Sequence, residues 1–207
     1  MTNRICVIGF FAFNSHYNGG QENKTRALGK LLTDKYGANN VICIDTMNWK
    51  KHPLSLLSKV IKASHKADSF IMLPAQNGVH VVSSLLLRFK RKKIFYSVIG
   101  GWLPKITLKN NKLKKKLSKF HGIWVETESM HQSLVEQGFS NTKVLPNFKV
   151  LEAVQVDDLP TIYEKPYKFC TFSRVLKEKG IEDAISVISS INNEYGDGTA
   201  ELDIFGV

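Results

Sequence analysis

Short apolar runs alternate with amphipathic segments along most of this chain, and that alternation constrains the fold more than any other feature. ICVIGFFAF, NVICIDT, SFIMLPA, KKIFYSVIGG, GIWVETE and KVLPNF are short and apolar enough to be strands covered on both faces. Between the first two lies GGQENKTRALGKLLTDKYG, where Ala27, Leu28, Leu31 and Leu32 form a helical stripe and Gly37 suits the stop. PLSLLSKVIKASHK predicts a helix with Pro53 in its first turn. VHVVSSLLLRFKR, the basic LKNNKLKKKLSKF, and SMHQSLVEQGF, ending near Gly138, predict three more. Strands separated by helices of about 10–15 residues build βαβ units and a parallel sheet. Right-handed crossovers then place helices on both faces. The expected class is α/β: an open Rossmann-like sheet of about six strands over residues 1–150.

Residues 151–166, LEAVQVDDLPTIYEKP, break the pattern: they are acidic, hold two prolines and read as a linker. The alternation then restarts over 167–207, with YKFCTFS as strand, KGIEDAISVISSINNEYG as helix and ELDIFGV as strand. A β-α-β piece cannot bury both faces of its sheet alone, so this stretch reads as the opening of a second Rossmann-like domain.

Hydrophobic content of 43% and charged content of 23% are ordinary for a folded chain. No apolar run reaches the length of about 18 residues that spans a bilayer. MTNRICVIGFFAF lacks a small-residue cleavage site, so it reads as a first strand rather than a secretion signal. Cys6, Cys43 and Cys170 sit in strand-like runs without CxxC spacing, and are expected to be buried, reduced thiols of a cytoplasmic protein. The six histidines show no metal-ligand spacing, and no metal is expected. Charge is unevenly spread: residues 1–68 carry net +6, residues 69–125 carry +12 with no acid, and residues 126–207 carry −7, which makes the whole chain +11.

In an open α/β sheet, ligands bind beyond the carboxyl ends of the strands. The first loop there is NSHYNGGQENK, where Gly19 and Gly20 allow close backbone approach to an anion at a helix N-terminus. It is neither GxGxxG nor a Walker loop, which disfavours an NAD-dependent dehydrogenase, and a flexible turn explains it equally well. The second is FSRVLKEKG, Phe172 to Gly180. Arg174 could bridge two phosphate oxygens and Lys179 add a point charge, neutralising a departing nucleoside diphosphate. The bland alternative is a solvated turn paired with Glu178 or Glu182. His16 and His80 fall in cleft-side loops, His121 lies near one, and Glu126 and Glu128 end the fifth strand, where Thr127 or Ser129 could cap the next helix.

A basic belt runs from RFKRKK through KLKKKLSK. In the second run Lys112, Lys114, Lys115 and Lys116 surround Leu108, Leu113 and Leu117, and Trp102 precedes them. Such a helix could lie on an anionic membrane surface or simply be solvated. Nucleic acid is not expected as a partner, because no RNA-recognition, KH or zinc-finger pattern accompanies the charge.

Several of these pieces together resemble the N-terminal half of a family 4 glycosyltransferase, with two facing Rossmann-like domains in the GT-B arrangement. FSRVLKEKG looks like that family's G-R-L-x-x-x-K-G segment, and VETESMHQSLVEQGFSNTKVLPNF like its run of strand, Ser-Glu, helix, Gly and V-x-P-N-G. NGGQENKTRALGKLL resembles the N-terminal Gly-Gly loop and helix, and ELDIFGV the L-x-I-x-G-x-G strand. The resemblance implies that Arg174 and Lys179 contact the diphosphate of a nucleotide-sugar donor. It implies that Gly19, Gly20, Glu128 and Asn147 lie near the cleft. It also implies sugar transfer to a glycan or lipid-linked acceptor in cell-surface polysaccharide synthesis, with retained configuration and neither metal nor cofactor, the nucleotide-sugar being a substrate. The protein is expected in the cytoplasm, peripheral on the inner face of the membrane. Ser173 stands where the family has Gly, Phe148 follows Asn147 where it has Gly, and VIGGWLP lacks a His that many members carry. The family's E-x7-E segment would fall beyond Val207. From another class, the alternative is a non-catalytic basic Rossmann-like module that binds membrane or a partner protein.

Overall fold

The computed structural model describes residues 4–13, 15, 19–148 and 164–206. The chain divides into two compact units, Met1–Val150 and Leu151–Val207. All but residues 164–166 of the expected linker lie outside the described residues.

The first unit runs β1 (Ile5–Gly9), α1 (Gly20–Tyr36), β2 (Val41–Asp45), α2 (Pro53–Ser64), β3 (Ser69–Met72) and α3 (Gln76–Leu86). It continues with β4 (Lys93–Ser97), α4 (Leu103–Lys109), α5 (Asn111–Leu117), β5 (Gly122–Val125), α6 (Glu128–Glu136) and β6 (Thr142–Val144). The six strands lie in the order β2-β1-β3-β4-β5-β6, every pair parallel, in a Rossmann-like α/β fold.

Alternation along β1 feeds two cores. Cys6 and Ile8 join Leu56 and Val60 of α2, Leu86 of α3, Leu113 of α5 and Leu134 of α6. Val7 points the other way, to Phe11 and to Leu28 and Leu32 of α1. Helices therefore cover both faces, but unevenly. The step from β1 to β2 crosses the sheet in one direction and every later step crosses in the other. With a fixed crossover hand, direction decides the face, so α1 alone takes one side. It packs closely there: a Cβ at Gly9 would come within 2.7 Å of Thr25 Cγ2.

Two expectations need correction. The basic segment is two helices, not one, because Asn110 ends the first and caps the second, its side chain accepting from the Leu113 backbone N–H at 2.9 Å. Leu113 and Leu117 are fully buried in the core, while Leu108 belongs to α4 and is 67% exposed. Helix α5 thus has no free apolar face. The cysteines also differ from expectation. All three are free, but only Cys6 is buried, and burial pushes its thiol pKa up. Cys43 is exposed on edge strand β2, and Cys170 on a strand of the second unit.

The second unit holds β7 (Tyr167–Phe172), α7 (Ile181–Tyr195) and β8 (Ala200–Phe205), with β7 and β8 parallel. The Asn192 side chain clamps the start of β8, accepting from the Ala200 N–H at 2.8 Å and donating to its carbonyl at 2.9 Å. Most of β7 is exposed, as expected of a β-α-β unit.

Truncating Leu117 to Ala should cost about 2–5 kcal/mol, the range for a fully buried leucine. Leu108→Ala should change stability by less than about 0.5 kcal/mol. Urea denaturation of both variants checks this, and equal costs would mean that α5 does not pack as described.

Candidate functional site

The strand order reverses direction between β1 and β3, and a crevice opens there beyond the carboxyl ends of the strands. A cavity of about 400 Å³ occupies it, walled by Phe10 after β1, Thr46 and Trp49 after β2, Pro74 and Ala75 after β3, and Gln21 of α1. Lys50 and Lys51 also line it, and both are exposed.

The loop after β1 is held from two sides. Asp45, the last residue of β2, accepts from the backbone N–H groups of Phe11 (3.1 Å), Phe13 (3.3 Å) and Met47 (2.9 Å). Arg26 of α1 donates to the carbonyls of Phe11 and Ala12, both at 2.6 Å. Between these clamps Ala12 adopts φ 50°, a left-handed conformation that costs a side-chain-bearing residue energy and persists only when its surroundings impose it.

A charge pair with a buried lysine and a 13% exposed glutamate joins α1 to the ends of β4 and β5. Lys24 is 4% exposed. Its Nζ donates to Glu126 Oε1 at 2.8 Å and to the Val98 carbonyl at 3.0 Å. Glu126 Oε2 accepts from the Gly100 N–H at 3.1 Å. Each charge has its partner and a second hydrogen bond, the condition under which a buried pair is tolerated. The pair fixes the first turns of α1 against the loop that leaves β4.

Gly19 and Gly20 sit at the N-terminus of α1, on this carboxyl edge. The Gly19 N–H donates to the Glu22 carboxylate at 3.1 Å, so a chain carboxylate already sits where an anion was expected. A Cβ at Gly19 would meet the same carboxylate at 3.0 Å, whereas space around Gly20 is open. Glu128 is exposed as the first residue of α6, and Thr127 caps that helix, its hydroxyl accepting from the Met130 N–H at 3.3 Å. Asn147 is exposed in the segment after β6. His80 Nε2 pairs with Asn110 Nδ2 at 3.2 Å, His121 Nδ1 accepts from the Ile94 N–H at 3.2 Å, and His16 lies outside the described residues. Among the lysines of α5, Lys112 and Lys115 are exposed, Lys114 is half-buried, and half-buried Lys116 donates to Ser84 Oγ at 2.6 Å.

In the second unit, Arg174 and Lys179 lie on the one connection between β7 and α7, at the carboxyl end of β7. Both are exposed, and neither forms an ion pair with Glu178 or Glu182 among the described residues. Lys179 closes a 3-10 turn (Lys177–Lys179), and Gly180 leads directly into α7. β8 ends beside this turn: the Ser173 N–H donates to the Phe205 carbonyl at 3.1 Å, and a Cβ at Gly206 would collide with the Ser173 carbonyl. Two cations therefore stand at the end of two parallel strands where a glycine keeps the backbone bare.

The sequence pointed to Glu126 as a strand-end acid but gave no sign of its partner. Lys24 reads as an ordinary exposed helical lysine, and only the closeness of α1 to the sheet buries it. Asp45 and Arg26 were equally silent, although an acid at a strand's carboxyl end is the kind of signal that could have found Asp45. Among the described residues, no group of three or more His, Cys, Asp or Glu is placed to hold a metal ion. No helix there is long and apolar enough to cross a membrane. Compared with known proteins, the chain matches no protein-family model and no curated protein.

Removing one partner of the buried pair should cost about 3–5 kcal/mol, because the other charge is left unpaired. Lys24→Met or Glu126→Leu alone should therefore unfold at much lower urea than the wild type, while the double variant recovers most of the loss. Additive losses in the double variant would show that the two charges do not act as a pair.

Proposed function

We propose that this protein is a glycosyltransferase that moves a sugar from a nucleotide-activated donor to a glycan or lipid-linked acceptor, at the cytoplasmic face of an anionic membrane. The observation that carries the reading is the pair of exposed cations, Arg174 and Lys179, on the β7–α7 turn beside Gly206, with no acid paired to them among the described residues. In sugar transfer the bond from the anomeric carbon to the phosphate oxygen breaks and a bond to an acceptor hydroxyl oxygen forms. The hydroxyl proton is released, and negative charge grows on the departing diphosphate. Fixed cations at that oxygen lower the barrier more than they tighten ground-state binding. The planar fork of Arg174 suits two phosphate oxygens, and Lys179 supplies a compact charge. The motif order described for family 4 supports the same assignment, with retention of configuration and no metal. On this reading the cavity beyond β1 and β3 faces the acceptor.

Release of nucleotide from a panel of UDP- and GDP-sugars, with a membrane lipid extract as acceptor source, tests it. Arg174→Ala should lower turnover by about 100-fold or more, the usual effect of removing one transition-state donor. Turnover equal to wild type in Arg174→Ala would contradict the site. Release from none of the sugars by the product of the natural reading frame would contradict the function.

A further inference from the structure

Helix α2 is apolar on more of its circumference than its core contacts require. Leu56, Val60 and Ala63 face the core and are buried. Leu54, Leu57 and Ile61 face outward and are 78%, 36% and 41% exposed. At 100° per residue these three fall within about 60° of arc, so they form one stripe. Beside the stripe a groove of about 530 Å³ runs between α2, α3 and α5, its walls including Leu54, Leu57, Val81 and Leu85. Val81 is itself 48% exposed. The groove and the 400 Å³ cavity share Trp49, Leu56 and Val81, so the apolar surface continues to the crevice at the strand ends.

The rim of this surface is cationic. Lys50 and Lys51 stand just before α2, and Arg88 and Lys116 line the groove. Among the described residues no acidic side chain lines it. Residues 46–125 contain 17 Lys and Arg and one acid, Asp68. Asp68 precedes β3 at the amino edge, where its side chain accepts from the Arg4 N–H at 3.1 Å. An apolar stripe ringed by cations has one complementary occupant: an interface with hydrocarbon just below anionic headgroups. A second copy of the chain would bring like charge against like, and a nucleic acid would leave the leucines uncovered.

We propose that the outward face of α2 and the α2–α3 groove form the surface by which this protein docks on an anionic bilayer. Leu54, Leu57, Ile61 and Val81 enter the acyl boundary and Lys50, Lys51 and Arg88 meet the phosphates. This names the surface for the membrane placement made above and does not depend on the transferase chemistry. Helix α5, with both of its leucines in the core, contributes charge and not insertion.

Flotation with phosphatidylcholine vesicles, with and without phosphatidylglycerol, tests the proposal without any nucleotide, so its outcome is independent of the transfer assay. The wild-type chain should float with the anionic vesicles and lose most binding when salt is raised to about 0.5 M. Leu54→Ser/Leu57→Ser should lower the bound-to-free ratio about tenfold at unchanged charge. Lys50→Ser/Lys51→Ser should lower it by a similar factor. Leu108→Ser, at an exposed leucine outside the groove, should leave it unchanged. All the substituted side chains lie on the surface, and each variant should keep the wild-type melting transition. Binding that is unaltered in the leucine variant, or indifferent to anionic lipid, overturns the proposal. A lipid-free dimer that the leucine substitutions dissolve also overturns it, because the face would then belong to a second copy.

Discussion

Parallel pairing forces all six strands of the first unit to end at one edge, and every strand-to-helix turn falls there. The same rule brings the β7–α7 turn and the end of β8 together in the second unit. That edge is also where the chain has to manage polar groups, because loops enter helices with their first N–H groups unsatisfied. The structure manages them with its own acids. Glu22 takes the Gly19 N–H, Asp45 takes three N–H groups, and Glu126 takes Gly100 while neutralising Lys24. The N–H groups of these first-unit turns are therefore taken by the chain's own carboxylates. At the β7–α7 turn, Arg174 and Lys179 have no acid paired with them among the described residues. That contrast makes the second turn the stronger place to hold a ligand's negative charge.

The unevenness of the first unit follows from one reversal. Because only the β1-to-β2 crossover runs one way, α1 alone covers its face, and five helices crowd the other. The crowded face supplies both the deep core and the α2–α3 groove. Helix α1, alone on its side, lies close enough to the sheet that glycine is needed at position 9 and a lysine is buried at position 24.

Much of this was legible in the sequence. Strand positions were readable because buried parallel strands are continuous apolar runs, as in SFIM and KIFYS. Helices were readable from their stripes and stops. What periodicity could not supply was the partner on each face. Leu54, Leu57 and Ile61 merge with Leu56 and Val60 into one broad apolar arc, and nothing in the string tells which half is covered. Leu108, Leu113 and Leu117 looked like one stripe until Asn110 divided the segment and the core claimed the last two. The Asn110-Asn111 pair was the available signal, since asparagine favours helix caps over interiors. Cys43 and Cys170 looked buried because their neighbours are apolar, but β2 is an edge strand and β7 has little to pack against. Of the candidate site, the sequence supplied the turns, and the buried links between them, Lys24 to Glu126 and Arg26 to the β1 loop, arise only from tertiary contact.

Arg174 and Lys179 are proposed to hold a nucleoside diphosphate at the β7–α7 turn. Titration of UDP and GDP into isotope-labelled protein, followed by amide NMR shifts, addresses it most directly and tolerates weak affinity. The expected result is saturable shifts concentrated on Ser173 to Gly180 and on Gly206, lost in Arg174→Ala. Shifts confined to residues of the first unit, or none at all at millimolar nucleotide, would contradict it.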